Sequence, residues 1–409
     1  MTGTERLGAG RYIEARDIPA STMTTVHELR TSDQATATGI LRTPPGARVV
    51  VTIMHPRQDV THHVMVPELL SRGYAVWTQG SRSPNNDLAL QHEQAIIDMA
   101  AGHERLRELG WSSVVSLGHS GGATLTAFYC QQAGRTPGER LTTTPAGRPV
   151  PLADTTMPLP DGVVFMAPHP GQGALLERVI DPSVTDESDP LSVDPALDPF
   201  SPANGFVDAP GSSSFDPDFV ARYRAAQRRR VERIDATARE RVALAREETA
   251  AFKGSGDPAH RRRALAPRLV TVFRTDADLR NVDLSIDPND RPYGSLFGRR
   301  PDLTNYGLVG FGRTSTPEAW LSTWSSVSTR ADFVECAPGV TVPTLLLGLT
   351  GDQASYPSDL LHMQDALASD DLTVREVRGT HFGGAVADGE PTGSSNAAVV
   401  VDDWLAERF

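Results

Sequence analysis

A serine flanked by glycines is the clearest chemical signal in this chain. The run Gly118-His-Ser120-Gly-Gly122 fits the pattern Gly-x-Ser-x-Gly, with an apolar stretch before it and a helix-forming stretch after it. A serine on a tight strand-to-helix turn brings neighbouring backbones close, so the flanking positions must lack bulky side chains. At the start of a helix, N–H groups and the helix dipole favour developing negative charge. The motif therefore predicts that Ser120 is a nucleophile.

A nucleophilic serine needs a base, and the base needs an acid that orients it. In the Gly-x-Ser-x-Gly arrangement these residues follow in the order Ser, Asp or Glu, His. Asp352 comes after the predicted strand 343–349, and His381 comes after the predicted strand 372–377. Both lie just past the C-terminal ends of strands, where ligands bind in open α/β sheets. We expect His381 to be the base and Asp352 to orient it.

Two backbone N–H groups are needed to hold the negative oxygen that forms when the serine attacks a carbonyl. Gly121, the residue after the nucleophile, is expected to supply one of them. The other should come from the loop after the first buried strand, which reads His55-Pro56-Arg57-Gln58. Because proline has no N–H, we expect Arg57 to be the second donor, with Gln58 as the alternative.

Three histidines near these turns are expected to contact a substrate. His169, within Ala167-Pro-His-Pro-Gly, follows the sixth predicted strand and should face the pocket of Ser120, with a structural turn as the alternative. His55 opens the oxyanion loop and His119 immediately precedes the serine. We assign both of them to substrate binding.

No metal site is expected. The rings of adjacent His62 and His63 point in different directions, and the acidic run 181–198 lacks a recognisable metal-binding loop. The two cysteines, Cys130 and Cys336, are too few for a cysteine-built site or a disulfide scaffold. No cofactor is needed for the chemistry of a serine nucleophile.

Short apolar runs alternate with helical periodicity along most of the chain. This alternation predicts a mostly parallel sheet that is covered by helices on both faces. The predicted strands are 22–29, 35–41, 47–54, 74–78, 112–117, 161–167, 343–349 and 372–377. The predicted helices are 64–72, 88–109, 121–133, 358–367 and 396–408.

The alternation is interrupted between residues 170 and 338. So long an interruption is implausible as a mere connection, and we interpret it as a cap or lid. The chain is therefore divided into a first core part, 1–169, a cap insertion, 170–338, and a second core part, 339–409.

Three segments of the insertion have distinct patterns. Residues 181–218 are rich in acids and proline and read as a loop-rich excursion, whereas residues 217–253 predict one long charged helix. Residues 317–328, with Trp320 and Trp324 four apart, predict an amphipathic helix.

Taken together, the glycine-flanked Ser120, Asp352, His381 and the surrounding strand pattern resemble an α/β-hydrolase-fold enzyme. The resemblance covers about 47–133, 161–169 and 343–408. It implies a mostly parallel sheet of eight strands with a cap inserted after the sixth strand. The chain departs from the family at Pro56, where the oxyanion loop of the family usually has a glycine after the histidine.

This resemblance implies a serine hydrolase, and an ester of small or medium size is the expected substrate. Hydrolysis of a C–C bond, an amide or a lactone by the same three residues remains an alternative. A ligand receptor of the same fold that turns over slowly is another, because one fold hosts many activities.

Composition restricts the partners. The chain has 409 residues and a formal net charge of -12, which argues against binding to nucleic acid. No run of 18 apolar residues is present, and the first residues lack the apolar region of a secretory signal. We expect a cytoplasmic protein with a small-molecule substrate and no membrane partner, and the sequence leaves a homodimer open.

Overall fold

The computed structural model describes residues 17–84 and 86–409. The expectation about a secretory signal, and the start of the lead-in before the first strand, lie outside these residues. The strands are β1 (Met23–Arg30), β2 (Thr36–Thr43), β3 (Val49–Met54), β4 (Ala75–Gln79), β5 (Ser113–His119), β6 (Gly162–Met166), β7 (Val270–Thr271), β8 (Thr314–Ser315), β9 (Thr344–Gly351) and β10 (Leu372–Thr380).

Helices follow most of these strands. They are α1 (Met65–Ser71), α2 (His92–Glu108), α3 (Gly121–Ala133), α4 (Gln172–Val179), α5 (Pro217–Ser255), α6 (Pro258–Leu265), α7 (Pro301–Thr304), α8 (Pro317–Ala319), α9 (Phe333–Cys336), α10 (Pro357–Ala366) and α11 (Gly393–Arg408).

Eight of the strands form one sheet in the order β1-β2-β4-β3-β5-β6-β9-β10. The pairs β1–β2 and β2–β4 are antiparallel, and every other neighbouring pair is parallel. The predicted fold class, a mostly parallel eight-stranded sheet, is confirmed. Because β3, β4, β5, β6, β9 and β10 run the same way, the loops that follow β3, β5, β6, β9 and β10 meet at one edge.

Helices cover both faces of this sheet. On one face α1 and α11 bury an apolar cluster against the strands. On the other face, α2, α3, α9 and α10 bury a second cluster. The strands β3, β4 and β6 are buried along their whole length, which explains their continuous apolar sequence.

Between β6 and β9 the chain leaves the sheet and folds around cores of its own. One core is built from α4, α5 and the Trp320–Trp324 turn, and a smaller one surrounds Phe219 and Leu279. The long helix is present as predicted, and α5 spans 39 residues. The division at residues 170 and 338 stays a prediction.

The expected amphipathic helix 317–328 is not formed. The segment makes one short helical turn, α8, and then a wider π-helical turn, Trp320–Trp324, in which every residue is buried. The N–H of Ser325 bonds to the carbonyl oxygen of Trp320 at 2.9 Å. The Thr323 hydroxyl donates to the carbonyl oxygen of Leu90 at 2.8 Å, so contacts with the core override the helical pattern.

Helix α2 begins later than its periodicity predicts. Residues 88–91 do not join the helix, because the carbonyl oxygen of Leu88 accepts the N–H of Thr316 at 2.7 Å and Leu90 accepts the Thr323 hydroxyl. Contacts with a segment more than 200 residues away thus set this boundary. Among the described residues, no helix has both the length and the apolar character that crossing a bilayer requires.

Candidate active site

Ser120 lies on a strained turn between β5 and α3. Its backbone has φ 56° and ψ −123°, a combination that side chains other than glycine rarely adopt and that is found at functional sites. The flanking glycines are required by close backbone contacts. A Cβ on Gly118 would lie 2.6 Å from the Cα of Ala123, and one on Gly122 would lie 2.5 Å from the carbonyl oxygen of Met54. The turn therefore holds the serine at the start of α3.

Three of the predicted residues form one chain of hydrogen bonds. The Ser120 hydroxyl lies 2.9 Å from Nε2 of His381. On the other side of the ring, Nδ1 lies 2.8 and 2.9 Å from the two carboxylate oxygens of Asp352. The imidazole and the carboxylate are both 1% exposed. With the ring proton on Nδ1, Nε2 is left to accept the serine proton.

The main chain around Asp352 fixes its carboxylate. Its Oδ1 atom accepts the N–H of Ala354 at 2.7 Å and the N–H of Ser355 at 2.9 Å. Backbone N–H groups aimed at a carboxylate stabilise its charged form. The acid is thereby held in the orientation that the ring of His381 requires.

The two backbone groups expected to hold an oxyanion differ in their surroundings, and the role of Gly121 stays a prediction. Gly121 is the first residue of α3, so its N–H has no acceptor within the helix. The expectation that Arg57 supplies the second backbone donor is wrong, and Gln58 fails in the same way. Both N–H groups donate to Nδ1 of His55, each at 3.0 Å. After Pro56, the loop closes on the ring of His55 and not on the serine.

His55 lies next to the place where the oxyanion would form. Because Nδ1 accepts two N–H groups, the proton of the neutral ring must be on Nε2. The Nε2 atom lies 3.0 Å from the position that a Cβ on Gly121 would take. The N–H of the His55 ring is therefore near Gly121. A role of His55 in binding a substrate stays a prediction.

The side chain of Arg57 ties the oxyanion loop to the insertion. Its guanidinium makes a paired contact with the carboxylate of Asp87, at 2.7 and 2.5 Å. The same group lies 4.7 Å from the centre of the Trp324 ring and 5.3 Å from that of Phe311. A guanidinium stacked on aromatic rings is attracted electrostatically, so Arg57 acts at this site through its side chain.

The assignment of His119 to substrate binding is corrected, because both of its ring nitrogens are hydrogen-bonded within the protein. Its Nε2 lies 2.8 Å from the main-chain oxygen of His381, and its Nδ1 lies 2.8 Å from Nε2 of His63. Nδ1 of His63 in turn accepts the N–H of Met65 at 3.3 Å. The donors thus run in one direction, from His63 to His119 to the carbonyl of His381. Neither ring nitrogen of His119 is left for a substrate.

Burial keeps these supporting histidines neutral. Desolvation lowers the pKa of His63 to about 4 and that of His92 to about 4. The pKa of His169 is lowered to about 3, first by burial and then by electrostatic interaction with His381 and Arg57. Nδ1 of His169 accepts the N–H of Gly171 at 3.0 Å, so its ring proton is on Nε2. Contact of His169 with a substrate stays a prediction.

The insertion also holds the loop that carries the acid. The side-chain amide of Asn289 donates to the main-chain oxygen of Asp352 at 2.9 Å. Nearby, Arg280 bonds to Asp278 at 2.8 Å and to Asp359 at 3.1 Å, and all three side chains are buried. Burial alone would raise the pKa of Asp278, but Arg224 and Arg280 hold it well below its ordinary value.

Sequence reasoning missed three residues at this site. They are Gln172, whose amide lies against Gly121, His92, which contacts Gln172, and Asn289. His92 lies 80 positions from Gln172, and Asn289 lies 63 positions from Asp352, so no local pattern marks them. Only Gln172 had a sequence signal, because it directly follows the loop of His169.

No group of three or more His, Cys, Asp or Glu in the described parts of the chain is placed to hold a metal ion. Cys130 and Cys336 are buried and unpaired. Burial raises the pKa of each thiol to about 12. A surface cavity of about 450 Å³ lies beside α5 and is lined by residues such as Arg246 and Lys253, away from Ser120.

Solved structures of other proteins are similar to this chain at low sequence identity. One is a structure of DcsB in complex with its substrate analogue, with 12% identity, a TM-score of 0.50, and coverage of 94% of this chain and 99% of that chain. The esterase domain of a Rhodothermus marinus protein has 10% identity and a TM-score of 0.44, and the match covers 94% of this chain and 98% of that chain. An α/β fold family hydrolase from Bacillus anthracis str. Sterne has 10% identity and a TM-score of 0.43, and the match covers 95% of this chain and 100% of that chain. No protein-family model matches the sequence, and neither does any curated protein. At these identities the similarity concerns the fold.

Proposed function

We propose that this chain, whose eight-stranded sheet is ordered as in the α/β-hydrolase fold, is a serine hydrolase that cleaves a small or medium-sized organic carboxylic ester. The observation that carries the proposal is the hydrogen-bonded chain from Ser120 through His381 to Asp352. These three groups converge from three loops at one edge of the sheet. A hydroxyl, a neutral imidazole and a buried carboxylate in this order are the parts that nucleophilic acyl transfer needs.

The proposed reaction begins with acylation of the serine. The Oγ atom of Ser120 attacks the ester carbonyl carbon while Nε2 of His381 takes the hydroxyl proton. The carboxylate of Asp352 keeps the ring in the required tautomer and stabilises the imidazolium. The carbonyl electrons move onto oxygen, which becomes negative beside the N–H of Gly121.

Collapse of this intermediate expels the alcohol, which leaves with the proton of the imidazolium. An acyl group then remains on Ser120. A water molecule gives its proton to Nε2 of His381 and attacks the acyl carbon. The second intermediate releases the carboxylic acid and restores the serine hydroxyl. No cofactor takes part in these steps.

The insertion supports the choice of a small or medium-sized ester. His169 follows β6 and Gln172 begins α4, and both side chains are buried beside the serine turn. We propose that residues 170–338 act as a cap that bounds the acyl pocket. By excluding bulk water, this cap would strengthen the electrostatic interactions among the groups around Ser120. Action in the cytoplasm and assembly into a homodimer stay predictions.

The test combines covalent labelling with turnover. A fluorophosphonate should react with the wild-type protein, losing fluoride, and peptide mass spectrometry should find the phosphonyl group on Ser120. Hydrolysis of p-nitrophenyl acyl esters of graded chain length should be abolished in Ser120→Ala and retained in Ser71→Ala, a serine exposed at the end of α1. The preferred chain length would measure the acyl pocket.

Three outcomes are informative. Labelling and turnover that both depend on Ser120 would support the proposal. Turnover that persists in Ser120→Ala would contradict the nucleophile. A wild-type protein that is labelled at Ser120 but hydrolyses none of these esters would contradict the ester substrate and move attention to a C–C bond, an amide or a lactone.

A further inference from the structure

The side-chain amide of Gln172 lies directly against the backbone of Gly121. Gln172 is the first residue of α4 and is 1% exposed. A Cβ built on Gly121 would lie 2.1 Å from the Nε2 atom of Gln172, so only glycine fits at position 121 while the amide is there. The insertion therefore places an amide group at the residue that follows the nucleophile.

This amide nitrogen lacks a hydrogen-bond partner among the described residues. The Nε2 atom of Gln172 is buried and unpaired, whereas its Oε1 atom lies 3.1 Å from Nε2 of His92. A buried N–H group without an acceptor is costly, and in native proteins it is rare outside functional sites. The unpaired donor thus calls for an acceptor that a bound molecule would bring.

The orientation of the amide follows from His92. The imidazole of His92 is fully buried, and burial lowers its pKa to about 4. The backbone N–H of His92 donates to the Ser322 hydroxyl at 2.9 Å. A neutral imidazole has one N–H. With that proton on Nε2, His92 donates to Oε1 of Gln172 and the amide N–H groups face Gly121. With it on Nδ1, 3.3 Å from the carbonyl oxygen of Ser322, the amide would turn over and present its oxygen. The structure has the first arrangement, with Nε2 of Gln172 toward Gly121, and the variant Gln172→Glu described below distinguishes the two.

We infer that the Nε2–H of Gln172 is a second oxyanion donor, which acts with the N–H of Gly121 where the backbone of Arg57 cannot. The inference rests on the proposed function, because it needs a carbonyl oxygen that becomes negative beside Ser120. The Nε2 atom of His55, 3.0 Å from the same Cβ position on Gly121, borders this site from the other loop. The donor belongs to the insertion, so the oxyanion site is complete only while the insertion is docked.

The substitution Gln172→Met tests this role with little change in volume. It removes both amide N–H groups, and loss of one oxyanion donor lowers kcat by about 100-fold or more. KM should change little, since the ground-state carbonyl gains less from this donor than the transition state does. The affinity for a trifluoromethyl ketone, which forms a tetrahedral adduct with the serine, should fall in parallel with kcat/KM.

Two further variants separate this role from a structural one. Gln172→Glu keeps the shape of the side chain but places a carboxylate beside the oxyanion, so at pH 8 it should be less active than Gln172→Met. Gln227→Met is the matched control. Gln227 is also buried, and its amide is satisfied by the carbonyl oxygens of Arg178 and Ile180. It should lower thermal stability while leaving both kcat/KM and the affinity for the ketone near their wild-type values.

Wild-type kcat and ketone affinity in folded Gln172→Met would overturn the inference. Activity of Gln172→Glu equal to that of the wild type would also overturn it, because the amide oxygen and not its N–H would then face Gly121. In both cases, labelling of wild-type Ser120 together with ester turnover that depends on Ser120 would show that the proposed function still stands. Absence of both the labelling and the turnover would overturn the proposed function and this inference together.

Discussion

The ring of His119 is bonded to the main chain of His381, because its Nε2 lies 2.8 Å from the carbonyl oxygen of that residue. The two residues are 262 positions apart, and each is adjacent to a reacting group or is one itself. His63 donates to the other nitrogen of His119, so the ring cannot turn away. The residue next to the nucleophile thus positions the loop that carries the base.

Replacing His119 by alanine should lower kcat by about fivefold, because a lost hydrogen bond of about 1 kcal/mol lets the loop of His381 move. KM should stay near the wild-type value, since His119 does not reach the substrate. Steady-state kinetics on the preferred p-nitrophenyl ester will measure both. His362→Ala, an exposed histidine of α10, is the control. A KM that rises with no change in kcat would instead return His119 to substrate binding.

Removal of the Asn289 amide should also reduce turnover. Asn289→Ala deletes the donor that the insertion directs at the main-chain oxygen of Asp352, and we expect kcat to fall several-fold to tenfold. Asn204→Ala removes a similar bond, from a side-chain amide to main-chain oxygens of residues 195 and 198, far from the acid. Equal effects of the two variants on kcat would show that Asn289 does not position Asp352.

The buried Arg280 should be important for stability. Arg280→Met would leave the carboxylates of Asp278 and Asp359 buried without their shared partner, and breaking a buried ion pair costs about 3–5 kcal/mol. Chemical denaturation monitored by fluorescence will measure this loss. Arg105→Met, which breaks an exposed pair with Glu108, should have a much smaller effect. Similar losses in both variants would contradict a special role for the Arg280 network.

Buried neutral histidines should make the protein sensitive to acid. Burial lowers the pKa of His103 to about 4 from its usual value of 6.5, and the pKa values of His63 and His92 are lowered in the same way. Between these two pH values the unfolded chain binds more protons than the folded protein. The contribution of these histidines to the free energy of unfolding is therefore largest above pH 6.5. It decreases as the pH drops toward 4 and changes no further below pH 4.

The variant His103→Gln isolates one of these protons. Between about pH 6 and pH 4.5 its unfolding free energy should depend less on pH than that of the wild type, by about 1.4 kcal/mol per pH unit. Urea denaturation over this range will measure the slopes. Comparing slopes separates the titration from any loss of packing, and an unchanged slope would contradict a neutral His103 in the folded protein.

Much of this molecule follows from local sequence. The alternation of apolar runs and helices determines the mostly parallel sheet, because buried strands and amphipathic helices have different periods. The glycines at 118 and 122 mark the turn of Ser120, since close backbone contacts admit no side chain there. Asp352 and His381 could be selected because the ends of parallel strands meet at one edge of a sheet.

Other features were decided only by tertiary contacts. The engagement of the Arg57 N–H by His55 depends on how one short loop closes after Pro56. The late start of α2 and the wide turn at Trp320–Trp324 result from bonds between segments that are far apart in the chain. Gln172 reaches Gly121 because the insertion packs over the serine turn. Hydrophobic periodicity is a property of neighbouring residues, whereas the partner of a buried polar group is set by the packing of distant segments. The sequence therefore determined the turn of Ser120 and the sheet that carries it, and the packing decided which groups surround that serine.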